Sequence, residues 1–388
     1  KMNKRVLSKK VMISLLTISC VYLGGTSALP IAEAVMVDGQ NVASGTKLNF
    51  PDNHTINKNL NDGAGIRLQP GENITINADG NLNILGNGKK TKEGYYITYV
   101  YAGANLDFTG KNIFFSGSTA DGDCVNGILA NGNTTGSTIN FKNDYTKLTC
   151  TSTDLDANDK HAAIYCVAAG VVNFDHAVDV YASATHNKVF GIYMTGNKSL
   201  FHAKDRVSIE TVGGNMQTGN NGIMIQQNSS ALFEGALSVK VSGDIGSNIG
   251  IMVSTGGKIE MDDSLKINVS GTNSKGGLWV QKEGSTAKIK GVADISFATG
   301  TAGNAVVARD GASIDFKNAV FINKDNSKDT YGQNNALGIR NNGTININQS
   351  GGKQVVIKGG ITVDNGNLNL TLDRADSVLE GFIFSKNS

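Results

Sequence analysis

One short segment recurs along this chain, and that recurrence restricts the available folds more than any other feature. Gly191-Ile192-Tyr193-Met194, Gly222-Ile223-Met224-Ile225 and Gly250-Ile251-Met252-Val253 are variants of one opening. The third continues through Gly256-Gly257 into Lys258-Ile259-Glu260-Met261 and Leu265-Lys266-Ile267-Asn268-Val269; the second leads to Leu237-Ser238-Val239-Lys240-Val241. Related openings fall at Gly65, Ile97, Gly127, Ala163, Gly277, Ala305 and Ala336, spaced by about 27 to about 36 residues, with about 28 commonest. Within each unit, alternation with period 2 marks short strands rather than helices. No stretch after residue 35 carries a helical period. Three strands per unit, repeated about ten times, predict an all-β chain folded as a right-handed parallel β-helix. A lone unit could not fold. Ordering about 30 residues costs ~1–2 kcal/mol each, while about six buried aliphatic side chains return ~1.5–3 kcal/mol each. Stacked neighbours close the deficit through ladder hydrogen bonds and further burial. At ~4.8 Å per rung, ten rungs make a rod of roughly 50 Å.

The repeat also assigns faces. In the opening strand the second and fourth residues are apolar and read as core: Ile66 and Leu68, Ile192 and Met194, Ile223 and Ile225, Ile251 and Val253, Leu278 and Val280. The residue between them reads as outward. There the chain carries Tyr99, Leu129, Tyr165, Tyr193, Met224, Met252, Trp279 and Val307. Stacked rung on rung, these predict an exposed aromatic and Met stripe, and a contiguous apolar patch usually marks a contact site. Tyr99, Tyr165, Tyr193, Met224, Met252 and Trp279 are the candidate binding residues. A loop covering this face, or the strand preference of bulky residues, would give the same pattern. The segment after the third strand varies most in length, at 118–126, 152–161, 213–221 and 324–335. Insertions on one side of a solenoid are frequently its binding side, and also fall where insertion costs least.

Composition fits this picture and excludes others. The 388 residues include 48 Gly and 44 Asn but only 3 Pro, with 18% charged residues and Lys+Arg 35 against Asp+Glu 33. Without a Gly-X-Y period the chain is not collagen. With near-zero net charge and 39% hydrophobic residues it is not a disordered chain. No basic stripe marks the body, so nucleic acid is not an expected partner. Lys4, Arg5, Lys9 and Lys10, an apolar run over residues 11–23 and Ala32-Glu33-Ala34 follow the order of a secretory signal peptide, cleaved after Ala34. The run is short of the ~20 residues a membrane span needs. The expected division is therefore 1–34 signal peptide, 35–64 N-terminal cap or first irregular rung, and 65–388 β-helix.

Reactive groups are sparse. Cys166 falls at an inward position and reads as an inert buried thiol. Cys124 and Cys150 lie in or beside corresponding loops of consecutive rungs and are predicted to pair as a disulfide. No paired Cys/His spacing suggests zinc, and neither metal nor cofactor is expected. His176 and His202, with Asp175 and Asp179, could be drawn as a metal or acid–base site, but they are expected to be ordinary surface residues. No serine nucleophile elbow is present. A polysaccharide lyase or hydrolase is the alternative class, and would need clustered carboxylates or basic residues on one strand face.

The signal segment, the Asn/Gly-rich rungs, and Asn367-Leu368-Asn369-Leu370-Thr371-Leu372 followed by Ser377-Val378-Leu379-Glu380-Gly381 together resemble the passenger region of bacterial autotransporter (type V secretion) adhesins. The resemblance spans nearly the whole mature chain. It implies an exported, surface-displayed β-helix of a Gram-negative-type bacterium, which binds host or neighbouring cells, matrix or glycans, or self-associates. It carries over no catalytic residues, so the expectation is not an enzyme. A complete autotransporter ends in a membrane β-barrel, and this chain reaches Ser388 without one. The expectation is a fragment, a truncated gene, or a protein retained by a separate barrel partner. A structural spacer within a longer surface protein is the third reading.

Overall fold

The period-2 segments of the repeat become strands, and the described residues form no helix. The computed structural model describes residues 35–386, apart from 38–39, 52, 60–64, 88–94, 119–124, 154–159, 187, 214–218, 244–246 and 325–333. These belong to one unit, Val35–Ser388. The strands stack in three parallel faces. The first face runs in chain order from Ile66–Leu68 through Lys188–Thr195 to Ile383–Lys386, each strand paired with those one rung before and after. The second face runs from Ser137–Phe141 to Asn367–Leu370, and the third from Tyr145–Ser152 to Val378–Glu380. This is a parallel β-helix.

Rung count refines the expectation of about ten three-strand units. Nine rungs, from the one opening with Val125–Asn131 to the one opening with Ile361–Asp364, have three separate strands. In the two before them the second and third strands are one bent strand, Asn73–Asn87 and Asn105–Ser118. The bend sits where Ala78 pairs Gly110 and the register then slips to Asn81 with Asn112. Gly110 takes φ +93°, a conformation that side chains resist. A Cβ there would also fall on the Ala78 carbonyl. At the start, Val35–Val37 lies antiparallel between Gln40–Val42 and Ile66–Leu68, while Lys47–Phe50 and His54–Asn59 stack parallel on Asn73–Asn87.

The core follows the predicted parity: all ten opening-strand residues assigned inward, from Ile66 to Val280, are fully buried. The second face adds columns that keep rung volume constant. Phe108, Phe141 and Phe174 share one inward column, with ring centroids 4.9 and 4.4 Å apart and planes nearly parallel. In the next rung the large residue changes column. Val172 pairs Phe201 while Phe174 pairs Ala203, and one rung on Phe201 pairs Ala231 while Ala203 pairs Phe233. Each of these rungs thus carries one Phe and one small residue, as native packing density demands.

The repeat openings form a column of their own. Gly191, Gly222, Gly250 and Gly277 lie inside the opening strands, close against the third-face strand of the same rung. A Cβ on Gly222 would fall on Val239 Cγ1 and 2.7 Å from the Gly250 carbonyl. These glycines are required by close approach, not by backbone dihedral. The opening-strand ladder skips them: Phe190 pairs Asn221 and Ile192 pairs Ile223.

Outward columns explain the low charge. Residues in adjacent rungs lie ~4.8 Å apart, so like charges in one column repel. Asn fills many such places and bonds to its neighbour: Asn173 donates to Asn140 at 2.8 Å, Asn140 to Asp107 at 2.7 Å, and Asn369 to Asn346 at 2.8 Å. Where charges do occur they tend to alternate, as in Glu210 and Lys240, paired at 2.8 Å.

Cys166 is buried as expected, and burial pushes its thiol well above the usual range. Cys150 is also buried, on an inward register position of its strand. Cys124, its predicted disulfide partner, lies outside the described residues, as do residues 1–34, expected to be a signal peptide.

Candidate functional site

The outer surface of the first face carries two apolar columns. Tyr99, Leu129, Tyr165, Tyr193, Met224, Met252, Trp279 and Val307 are in continuous register, as the sequence predicts. Because the ladder skips the residue at the repeat opening, a second outward column stands three residues earlier: Ala162, Phe190, Asn221, Ile249 and Gly276.

That second column corrects the expected exposure. Tyr165 is 6% exposed and Tyr193 4%, and Leu129 and Val307 are buried as well. Outward residues of both columns lie over one another and form a small apolar cluster outside the sheet. Phe190 packs on Tyr193 with centroids 4.9 Å apart, and Tyr165 meets Tyr193 edge-on at 5.5 Å. The Tyr165 hydroxyl donates to the Lys160 carbonyl at 2.7 Å. Tyr99, Met224, Met252 and Trp279 are half-buried. The stripe is thus a real column, exposed along only part of its length.

The exposed part forms a groove of about 610 Å³. Its floor is Tyr193, Met224, Ile249, Met252 and Trp279. Gly276 keeps room beside the indole: a Cβ there would come 2.9 Å from Trp279 Cε3. One rim, at the start of the opening strands, holds Lys160, Lys188 and Lys275. The other rim, at their ends, holds Gln226, Gln281 and Arg309.

The polar groups are held in place by the floor. Lys160 Nζ donates to the Tyr193 hydroxyl at 2.9 Å and stands 4.7 Å from the ring centroid. Gln226 Nε2 donates to the same hydroxyl at 2.7 Å. Trp279 Nε1 donates to Gln281 Oε1 at 3.0 Å, which orients the Gln281 amide nitrogen as a donor. The Arg309 guanidinium lies 5.4 Å from the indole centroid and pairs with Asp310 at 3.2 Å. Among the described residues no carboxylate lines the groove, and no ion pair engages Lys160, Lys188 or Lys275. Lys160 and Lys188 are direct register partners. Stacking two like charges is the arrangement that the Asn columns avoid.

Of the residues drawn around His176 and His202, Asp175 and His202 line one small surface pocket with Lys204, and His176 and Asp179 do not line it. Asp175 pairs with Lys204 at 2.7 Å, Asp179 with Arg206 at 2.6 Å, and His202 with Glu234 at 2.6 Å. Tyr145 donates to Asp179 at 2.6 Å; burial and that bond push its hydroxyl up to about 12. Each of these groups has a bonded partner at the surface. No group of three or more His, Cys, Asp or Glu suited to a metal forms among the described residues. His161 is buried, and its Nε2 meets the Cys150 carbonyl at 3.1 Å.

The lysine rim was missed from sequence, although a positional signal exists. Lys160 and Lys188 each stand three residues before a repeat opening, at Ala163 and Gly191, and Lys275 stands two before Gly277. Comparison with protein-family models, curated proteins and solved structures returns no match.

Proposed function

We propose that this chain is an exported β-helix adhesin, displayed at a bacterial surface, and that the groove on its first face is its contact site. One observation carries the reading: cations and amides frame the half-buried Met and Trp part of the outward column in a single groove. An apolar floor with oriented polar rims suits recognition. The signal-like order of residues 1–34 supports export. The likeness to autotransporter passengers supports surface display. Turnover of the ligand is not part of the reading, since depolymerising a glycan through paired acids needs two carboxylates across the scissile bond.

The test is adhesion by purified mature protein to host matrix, glycans and cells, with self-association followed in parallel. Trp279→Ala should lower binding by about tenfold or more, as buried aromatic anchors do, with the circular dichroism spectrum unchanged. Absence of both adhesion and self-association would remove the reading. Release of reducing ends from a bound polysaccharide would move the chain to the enzyme class.

A further inference from the structure

We infer that the groove holds one linear acidic polysaccharide chain, laid along the solenoid axis with its anionic groups on the lysine rim. This rests on the adhesin reading and names the ligand class of the same site. The groove extends from the rung of Lys160 to the rung of Arg309, five rung intervals. At ~4.8 Å each, that is about 24 Å, which suits several sugar units rather than one.

Charge and chemistry select the occupant. Lys160, Lys188 and Lys275 line one side with no carboxylate opposite among the described groove residues. Lys160 and Lys188 are register partners, and like charges one rung apart repel. An anion between them removes that repulsion, so ligand and protein gain together. Lys188 and Lys275 are three rung intervals apart, about 14 Å, so the anionic groups must recur along the ligand. The opposite rim offers Gln226 and Gln281 amides, which match hydroxyls. The floor offers thioether, aliphatic and indole surface, which matches the apolar faces of sugar rings. A single nucleic acid strand would also satisfy the cations. However, it binds by stacking successive bases on aromatic rings, and Trp279 is the one aromatic ring of the floor that is not buried.

The experiment measures binding of the mature protein to size-defined oligosaccharides of hyaluronate, polygalacturonate and heparin, with neutral dextran and single-stranded DNA as comparators. The carboxylate and sulfate arms separate the two sources of anionic charge. Saturable binding to at least one acidic series is expected, rising with oligomer length until the groove is filled and weakening steeply with salt. Lys188→Gln/Lys275→Gln should lower affinity at least tenfold, and Lys188→Glu/Lys275→Glu should abolish it. Both pairs leave the apolar floor intact, and circular dichroism checks their fold. No binding to any acidic series, equal binding by the lysine variants, or tighter binding of DNA than of every glycan would each overturn the inference. Cell adhesion measured on the same variants separates the two claims. Adhesion that survives the lysine changes overturns the glycan inference and leaves the adhesin reading standing, whereas wild-type protein that neither adheres nor self-associates removes the adhesin reading itself.

Discussion

Residue substitutions in this core act through volume and through the proton. Phe201 and Ala203 hold one large and one small place in their rung, in the opposite columns to Val172 and Phe174. Phe201→Ala alone should cost about 3–5 kcal/mol by opening a cavity. Phe201→Ala/Ala203→Phe restores the column used by the rungs before it and conserves volume, so it should cost less than about 1.5 kcal/mol. Urea midpoints of the two variants check the difference; equal losses would show that column choice, not volume, is fixed. His161 gives a second residue-scale outcome. Burial lowers its pKa from 6.5 to about 4, against a small opposing effect of the Cys150 carbonyl. The unfolded chain therefore takes up this proton first as pH falls. Stability from keeping His161 neutral is full above about pH 6.5 and is lost progressively toward pH 4, on the order of 3 kcal/mol in all. His161→Gln should flatten stability across that window, read as thermal midpoints at pH 7, 5.5 and 4.5.

At the scale of the element, the residue at the repeat opening decides what an opening strand can be. Gly222→Val would drive a branched side chain into Val239 and the Gly250 carbonyl. The loss expected is about 3 kcal/mol or more, at the upper end of overpacking costs. Gly222→Ala adds only the Cβ, and Ala163 and Ala305 fill the equivalent positions of other rungs, so it should cost less than the Val change, about 1–3 kcal/mol. Thermal melts of the two variants test the order. The same element shows what the sequence could reveal. Ile192, Ile223 and Ile251 are inward because alternation places them there, and that reading survives the structure intact. The outward partners Tyr193 and Tyr165 kept their column but not their exposure. Strand parity states which side a residue takes, whereas burial on that side depends on Phe190 and Ala162, brought beside them by an opening residue that the ladder skips. The lysine rim escaped for a related reason. Lys160, Lys188 and Lys275 stand 28 and 87 residues apart in sequence, and only the winding of the coil sets them along one edge. The Asn columns were legible as composition, but their individual side-chain bonds were not.

For the whole molecule, one rung is the unit of change. Met252 pairs Trp279 and Ile251 pairs Leu278, so corresponding positions are 27 residues apart here. Deleting residues 252–278 joins Ile251 to Trp279 and leaves the inward and outward sets undisturbed. The shortened protein should fold with a near-native spectrum and a modestly lower melting temperature. Deleting residues 252–277 instead turns Leu278 outward and Trp279 inward, and a slip of one residue reverses a strand's faces. That variant should lose cooperative melting. Equal behaviour of the two deletions would show that the coil tolerates register errors locally.

Trp279 is the single tryptophan among 388 residues. Its indole sits on the groove floor, tied to Gln281 and faced by Arg309. Light absorbed and emitted by tryptophan in this protein therefore originates in the groove and nowhere else. The molecule carries its own optical probe: occupancy of the groove can be followed by emission shift or by collisional quenching, without a label and without disturbing a residue.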